Sequence, residues 1–429
     1  MKHLEPTYRI LSRYYARPET NLKRLLSHHL ERLKEREYAN ISRTVYGTVR
    51  NDQRLSHIIR HFSRIEYQKL HRDALILLKI GIYLLVFSEA FPDYAVVNEV
   101  VSLANNDVKG FINGMLRNIA RNRQKVQKLI RSIQEPWIKY SISETLIRNL
   151  EDISVHPEID LEYLNTEPVF HLRVNAGTAT YEDLRRRLME GGIEFRECPR
   201  FFSFEVKQAG TIIREIIRQG RGYFQNTAAQ MISMIAGRFS QKSVFDCCAA
   251  PGTKAITLGQ LRPNCRVFAA DINLNRMLLM KTSLKPPHVA NLHLLVTDII
   301  TPGLKTRFDL ILVDAPCTSS GTLRKNPDLK LKIDEALIRK NAEKQQQILQ
   351  SVIANFPGAY VLYSVCSFIK GETEDIMKSI AKNKKIDPID ILPVLEKYGF
   401  NCKRADFGVY LLPTPTLNND IFYISLFKI

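Results

Sequence analysis

The stretch Ser243-Val-Phe-Asp-Cys-Cys-Ala-Ala-Pro-Gly-Thr-Lys254 decides the fold of this 429-residue chain. A short apolar run ends in Asp246, crosses a loop of small residues and reaches Lys254, where a helix can begin. Two more runs end in the same manner, Phe308-Asp-Leu-Ile-Leu-Val-Asp-Ala-Pro-Cys317 and Ala359-Tyr-Val-Leu-Tyr-Ser-Val-Cys366. Buried parallel strands read as short apolar runs, and open α/β sheets bind ligands beyond the strands' carboxyl ends. One sheet holding all three runs would gather the loop, Cys317 and Cys366 into one cleft. Such a cleft suits a thiolate nucleophile working beside a bound cofactor.

Outward from that stretch, residues 236–429 alternate strands and helices, as βαβ units do. The expected strands are 243–248, 265–270, 292–297, 308–314, 359–365 and 421–427. Residues 167–235 switch to strand, helix, strand (169–175, 181–189, 201–206), a small α+β subdomain. Pro136 and Pro157 punctuate a connector over 136–166, read as holding one or two short helices. Residues 1–135 are helical in pattern. Asp73 to Phe87 is apolar nearly all round, as befits the centre of a bundle. Tyr94–Ala104 and 110–131 supply further helices, the last of them strongly basic. The chain is therefore multidomain: an all-α N-terminal bundle, an α+β subdomain and a C-terminal α/β Rossmann-like domain.

The net charge of +18 is unevenly spread. Residues 1–140 hold 25 Lys and Arg against 13 Asp and Glu, while the remainder holds 37 against 31. A basic module beside a nearly balanced one fits a polyanion-docking domain joined to a working domain. No stretch approaches the ~20 apolar residues of a membrane span, and the N-terminus lacks a signal-peptide core. The seven cysteines (Cys198, Cys247, Cys248, Cys265, Cys317, Cys366 and Cys402) are an odd number without a zinc spacing. They read as reduced thiols of a cytoplasmic protein without a metal site.

The loop 246–254 lacks the Gly-x-Gly-x-x-Gly of a dinucleotide site, and Pro251 removes an amide donor that a diphosphate needs. Asp271 and Asp298 end the second and third strands. Each alone reads as a cap or turn residue. Together, in order, they fit the ribose and adenine of S-adenosylmethionine, which carries no phosphate. Cysteines in apolar runs are usually packing, the reading given to Cys198, Cys248, Cys265 and Cys402. Cys317 and Cys366 instead follow their strands. Methylation of a pyrimidine at C5 gives two thiols work: a thiolate adds to C6 and makes C5 nucleophilic, and the C5 proton must later be removed. Asp314 is placed to hydrogen-bond the N3/N4 edge of cytosine, and Lys254 to lower a thiol pKa or orient the cleft. Sequence logic leaves the roles of the two thiols interchangeable.

These residues resemble a known family. Asp246–Lys254, Asp314-Ala-Pro-Cys-Thr-Ser-Ser-Gly-Thr-Leu-Arg-Lys-Asn-Pro-Asp328 and Ser364-Val-Cys-Ser367 are similar to three motifs of the RsmB/Sun/Fmu family of bacterial 16S rRNA cytosine-5 methyltransferases. Arg173-Val-Asn175 and Phe224–Gln230 resemble its pre-catalytic, RRM-like subdomain, and Asp420-Ile-Phe-Tyr-Ile424 its closing strand. Residues 46–117 resemble the NusB-like RNA-binding fold. The resemblance implies a class I methyltransferase domain using S-adenosylmethionine, RNA (most of all 16S rRNA) as partner, and a cytoplasmic monomer. It makes Cys366 the nucleophile and Cys317 the residue assisting release, with Asp314 at the cytosine and Lys254 in the catalytic set. It implies cofactor contacts at Cys248, Ala249, Ala250, Pro251, Gly252, Thr253, Lys254, Asp271, Arg276, Asp298 and Asp314. Thr253, Asn226 and Val365 stand where Gly, Asp and Thr are usual. Two rivals compete: a tRNA cytosine-5 methyltransferase, and a non-catalytic, antitermination-like RNA binder. The second predicts broken catalytic positions, and here Asp246, Asp271, Asp298, Asp314, Cys317 and Cys366 are all present.

Overall fold

The computed structural model describes residues 3–17, 19–30, 35–88, 90–208, 210–283, 289–304 and 306–429. The chain divides into two compact units. One comprises residues 1–148, 164–166 and 323–333; the other comprises 149–163, 167–322 and 334–429.

The first unit is helical: α1 (Leu4–Ala16), α2 (Leu22–Leu30), α3 (Glu35–Arg50), α4 (Asp52–Phe62), α5 (Arg72–Ile82), α6 (Asp93–Ser102), α7 (Asn106–Arg121) and α8 (Arg123–Arg131). As its apolar sequence requires, α5 is central, with residues 76–82 all buried. The expected single helix to Phe87 instead ends at Ile82 and continues as a wider π turn, Tyr83–Phe87. Lys79 is buried on α5 because Asp52 lies 2.6 Å from its ammonium, and Tyr15 donates to the same carboxylate. A buried charge without such a partner costs several kcal/mol, about as much as several buried methylenes contribute.

The connector carries three helices, more than its prolines suggest: α9 (Pro136–Lys139), α10 (Glu144–Ile153) and α11 (Pro157–Leu164). Residues 323–333, which chain order assigns to the C-terminal domain, belong to the helical unit. Buried Lys330 donates to the carbonyls of Arg50 (3.3 Å) and Tyr140 (3.4 Å) and to the Asn165 side chain, and Lys332 donates to the Thr20 carbonyl at 2.9 Å. Tertiary hydrogen bonds of this kind leave no trace in local pattern.

The second unit begins with a four-stranded antiparallel sheet of β1 (Phe170–Val174), β2 (Phe195–Cys198), β3 (Ser203–Val206) and β4 (Gly222–Phe224). Its order is β2-β3-β1-β4, and α12 (Tyr181–Glu190) and α13 (Thr211–Arg218) complete a βαββαβ layout, the ferredoxin-like arrangement of an RRM. Thr180 and Asp183 form a capping box at the start of α12. Leu172, Val174, Leu184, Leu188, Phe204, Ile213 and Ile216 make its core. The sequence reading misses β2, α13 and β4, which are short and half polar.

After α14 (Thr227–Phe239) comes the large sheet: β5 (Ser243–Asp246), α15 (Thr253–Leu261), β6 (Arg266–Asp271), α16 (Leu274–Ser283), β7 (Leu292–Val296), β8 (Leu310–Asp314), α17 (Glu335–Asn355), β9 (Tyr360–Val365), α18 (Glu374–Asn383), β10 (Asp387–Pro388), α19 (Leu392–Lys397), β11 (Asn401–Ala405), β12 (Gly408–Leu412) and β13 (Phe422–Lys428). The order is β11-β12-β13-β9-β8-β5-β6-β7, with β10 beside β13. Strands β5 to β9 are parallel, while β11, β12 and β13 run antiparallel to their neighbours. The order reverses at β5, which lies between β6 and β8. This is the switch point where a crevice opens at the carboxyl ends. Val244, Phe245, Val267, Leu310 to Val313 and Val361 to Tyr363 are buried on both faces, which is why these strands read as unbroken apolar runs. The β11–β12 hairpin escapes sequence reading because Asn401-Cys-Lys-Arg-Ala405 is a half-exposed edge strand.

Candidate active site

Four chain segments meet beyond the carboxyl ends of the central strands. Strands β5, β6 and β8 end in Asp246, Asp271 and Asp314, and Cys366 directly follows β9. Asp314 pairs in register with Ser364, whose hydroxyl donates to the Asp314 carboxylate at 3.0 Å. Lys254, on the first turn of α15, forms an ion pair with the other Asp314 oxygen, and its ammonium lies 5.4 Å from the centre of the Phe422 ring. The sequence-predicted Lys254, Asp314, Cys317 and Cys366 thus come together.

The two thiols lie 3.5 Å apart, sulfur to sulfur. Ser319, with a left-handed backbone (φ 59°), sets its hydroxyl 3.4 Å from Cys366 Sγ. The pair is unequal. Cys366 is held below the ordinary thiol range, chiefly by a hydrogen bond from Cys317; burial and Asp314 oppose this, and Ser319 and Lys254 assist it. Cys317 is pushed well up by that same bond, then by burial and by the charges of Cys366 and Glu372. Burial is the largest influence on Lys254 and works against its ammonium. The charge and hydrogen bond of Asp314 outweigh it, so Lys254 stays above its usual value. The arrangement can therefore present Cys366 as a thiolate beside a fixed cation.

Gly321 knits the Cys317 loop into the sheet. Its amide donates to the Cys366 carbonyl at 2.9 Å and its carbonyl accepts from the Ile421 amide at 3.1 Å. A Cβ at position 321 would lie 2.0 Å from the Ile421 oxygen, so only glycine permits this approach.

The expected cofactor residues surround the β5–α15 turn. Cys248, Ala249, Ala250 and Pro251 form the loop, and the Ala249 amide donates to the Ala270 carbonyl at 2.8 Å. Gly252 caps α15 with φ 99°, and a Cβ there would lie 2.5 Å from Met280. Thr253 opens the helix. Arg276 pairs with Asp271 at 2.9 Å and also donates to the Ala250 carbonyl, so Asp271, Arg276 and the loop form one group. Asp298 accepts the Ile300 amide at 2.9 Å, as a turn residue does, and its neighbour Thr297 donates to the Asp271 carbonyl at 3.3 Å.

The sequence reading counts Asp246 among the catalytic positions without giving it a task, and gives Glu372 none. Asp246 is 1% exposed, and neither carboxylate oxygen has a hydrogen-bond partner among the described residues; the Cys248 amide favours its charged form without completing a bond. Burial first, and the Asp314 charge second, raise it to about 8. An orphaned carboxylate beside a small-residue loop and a strand-end Asp fits a ligand carrying an ammonium group and ribose hydroxyls, as S-adenosylmethionine does. Glu372 is wholly buried, and its carboxylate accepts from the Thr318 amide (2.7 Å), the Thr318 hydroxyl (2.6 Å) and the Ser367 hydroxyl (2.6 Å). The signals for Asp246 are its place at a strand end and at the head of the Asp246–Lys254 motif. For Glu372, in the polar run Lys370-Gly-Glu-Thr373, there is none. Among the described residues no cluster of His, Cys, Asp and Glu is arranged to hold a metal ion, and no helix is long and apolar enough to cross a membrane.

Comparisons with known proteins bear on the whole chain. "Ribosomal RNA small subunit methyltransferase B" of Pasteurella multocida is 25% identical over 427 residues, covering 95% of this chain and 92% of its own. The crystal structure of PH0851 has the same fold (TM-score 0.72, 19% identity, 95% of this chain and 94% of that one). That of NSun6 from Pyrococcus horikoshii with SFG covers 67% of this chain and 98% of its own (TM-score 0.54, 17% identity). Residues 5–121 match the NusB family, and residues 235–428 match the family described as 16S rRNA methyltransferase RsmB/F. The chain joins a domain of the NusB family to a domain of the RsmB/F family of rRNA methyltransferases.

Proposed function

We propose that this chain methylates C5 of a cytosine in 16S rRNA through a covalent bond between Cys366 and C6 of the base. The observation that carries the reading is the pair of thiols 3.5 Å apart beside the Lys254–Asp314 ion pair. C5 of cytosine is a poor nucleophile. Addition of the Cys366 thiolate to C6 converts the ring to an enamine, while Asp314 faces its N3/N4 edge. S-adenosylmethionine, when bound, supplies a methyl group made electrophilic by its sulfonium. The loop 248–253 with Asp246, Asp271, Arg276 and Asp298 would hold it. Once C5 is methylated, loss of the C5 proton and cleavage of the Cys366–C6 bond restore the ring, and Cys317 acts in that release. The target base must leave any stack to reach the cleft, at a cost of a few kcal/mol unless it is already unpaired. The match of residues 235–428 to the RsmB/F family of 16S rRNA methyltransferases supports the substrate class, and the name of the Pasteurella relative supports the small ribosomal subunit.

The test is Cys317→Ala expressed in cells and examined on a denaturing gel. Failed release leaves protein joined to RNA through Cys366, giving a shifted band that vanishes in Cys317→Ala/Cys366→Ala. Sequencing the trapped RNA distinguishes 16S rRNA from tRNA. No adduct, with wild-type methyl transfer intact, would overturn the two thiol roles. Neither adduct nor methyl transfer would leave an RNA-binding protein.

A further inference from the structure

Thr318 and Ser367 each follow one of the two cysteines, and both donate to the single carboxylate of Glu372. The clamp extends on either side. Ser320 and Ser367 hydroxyls lie 2.9 Å apart, the Ser320 oxygen accepts the Phe368 amide at 3.1 Å, and Tyr363 on β9 donates to the Glu372 carbonyl at 2.7 Å. A buried carboxylate is costly unless fully hydrogen-bonded; here the Thr318 amide and hydroxyl and the Ser367 hydroxyl donate to it, and the Asn341 side chain is a further partner. Two catalytic loops from different strands therefore depend on one acidic side chain that touches neither thiol.

We propose that Glu372 is a positioning residue that locks the two cysteine loops together and makes their thiols unequal, Cys317 donating and Cys366 accepting. This rests on the thiol roles of the proposed function. The geometric part is the clamp, since moving either Thr318 or Ser367 moves its neighbouring cysteine and opens the 3.5 Å separation. The electrostatic part is proximity: the negative charge of Glu372 disfavours a thiolate at Cys317. The other groups facing the pair are Asp314 and Lys254 beside Cys366, which act in opposite senses, and Tyr363 beside Cys317 and Glu372, which burial keeps neutral. Burial lifts Glu372 itself above the usual carboxylate range, and its hydrogen bonds from Ser367 and Thr318 pull it back. Glu372 thus adds a charge on the Cys317 side to the hydrogen bonding and burial that already raise that thiol.

Alkylation by iodoacetamide, followed at each cysteine by peptide mass spectrometry across pH, tests this on the full chain without RNA. In the wild type Cys366 reacts faster than Cys317, by about tenfold or more near neutral pH. Glu372→Gln keeps size and some hydrogen bonding but removes the charge, so Cys317 becomes easier to ionise and the preference shrinks about tenfold. Thr318→Val, which removes one donor and leaves the carboxylate less well held, shifts it in the same direction by about threefold. If Glu372→Gln fails to fold, Thr318→Val decides. A folded variant set that keeps the wild-type preference overturns the inference, even if methyl transfer is lost, because Glu372 would then be structural only. Equal reactivity of the two thiols in the wild type would sink this inference and the thiol roles together, whereas an adduct from Cys317→Ala with unchanged preference in the variants would sink this one alone.

Discussion

Cys366 and Cys317 are 49 residues apart in the chain and 3.5 Å apart at sulfur. Neighbouring parallel strands bring this about: β8 and β9 align Asp314 with Ser364, and each thiol lies two or three residues beyond that pair. The sheet fixes the approach of the loops, while Gly321 and Glu372 fix their final spacing. In the proposed reaction Cys366, held below the ordinary thiol range, is the thiol that attacks.

Removal of Cys366 should accordingly end the reaction rather than weaken binding. Cys366→Ala is expected to lower kcat for methyl transfer by at least about 10³-fold with KM for RNA nearly unchanged. Single-turnover transfer of labelled methyl groups to undermethylated 16S rRNA measures both. A variant retaining a tenth of the wild-type rate would mean that Cys366 is not the attacking thiol.

Lys254 predicts the pH dependence. Its ammonium favours the Cys366 thiolate, which already lies below the ordinary thiol range. The attacking form is therefore lost as pH falls through the Cys366 pKa, giving the acid limb of the profile. Lys254→Met removes the favourable charge, so that limb should move to higher pH by about one unit, with roughly tenfold less activity near neutrality. An unmoved acid limb would show that Lys254 only orients Asp314.

Much of the site is legible in the sequence, for a physical reason. Strands buried on both faces, such as Leu310–Asp314 and Tyr360–Val365, must be apolar throughout, so their ends and the residues beyond them stand out. Cys317, Cys366, Asp314, Asp271 and the small-residue loop lie at those ends. Illegible are features made by tertiary contact alone: the hold of Lys330 on 323–333, the half-exposed β11, and Glu372, whose partners come from both cysteine loops and from Asn341 on α17. The thiols read as interchangeable because hydrogen-bond direction depends on neighbours that no local spacing reveals.

Asp246 couples stability to pH and ligand. Its carboxyl titrates at about 8 in the folded chain and near the ordinary carboxylate value when unfolded. Between those values the folded state holds a proton that the unfolded state has lost. The residue therefore has no effect below the unfolded pKa and destabilises increasingly as pH rises to about 8. Asp246→Asn should flatten that dependence, leaving the ligand-free variant more stable than wild type at pH 8 by roughly 2 kcal/mol or more. The same change should weaken S-adenosylmethionine binding at least about tenfold, since a cationic ligand loses its carboxylate. Urea unfolding at two pH values and calorimetric titration test the two halves. An Asn variant less stable than wild type at pH 8 would mean that an internal donor satisfies Asp246.

The basic helix α8 bears on how the chain holds RNA. Val126 faces the core of the helical unit, whereas Lys125, Lys128 and Arg131 are exposed, and the first turn of α8 carries no acidic residue. Arg123 differs, being paired with Asp93 at 3.2 Å. Exposed cations of this kind act on phosphates, so their contribution is independent of sequence and declines with salt. Replacing Lys125, Lys128 and Arg131 by Gln should weaken binding to all RNAs alike and reduce the slope of log K against log salt by about 2, since each phosphate left without its cation accounts for roughly 0.7 to 0.9. Methyl transfer at saturating RNA should be unchanged, which separates docking from chemistry. An unaltered salt slope would make α8 a solvated face of the bundle and place the docking of RNA elsewhere on the chain.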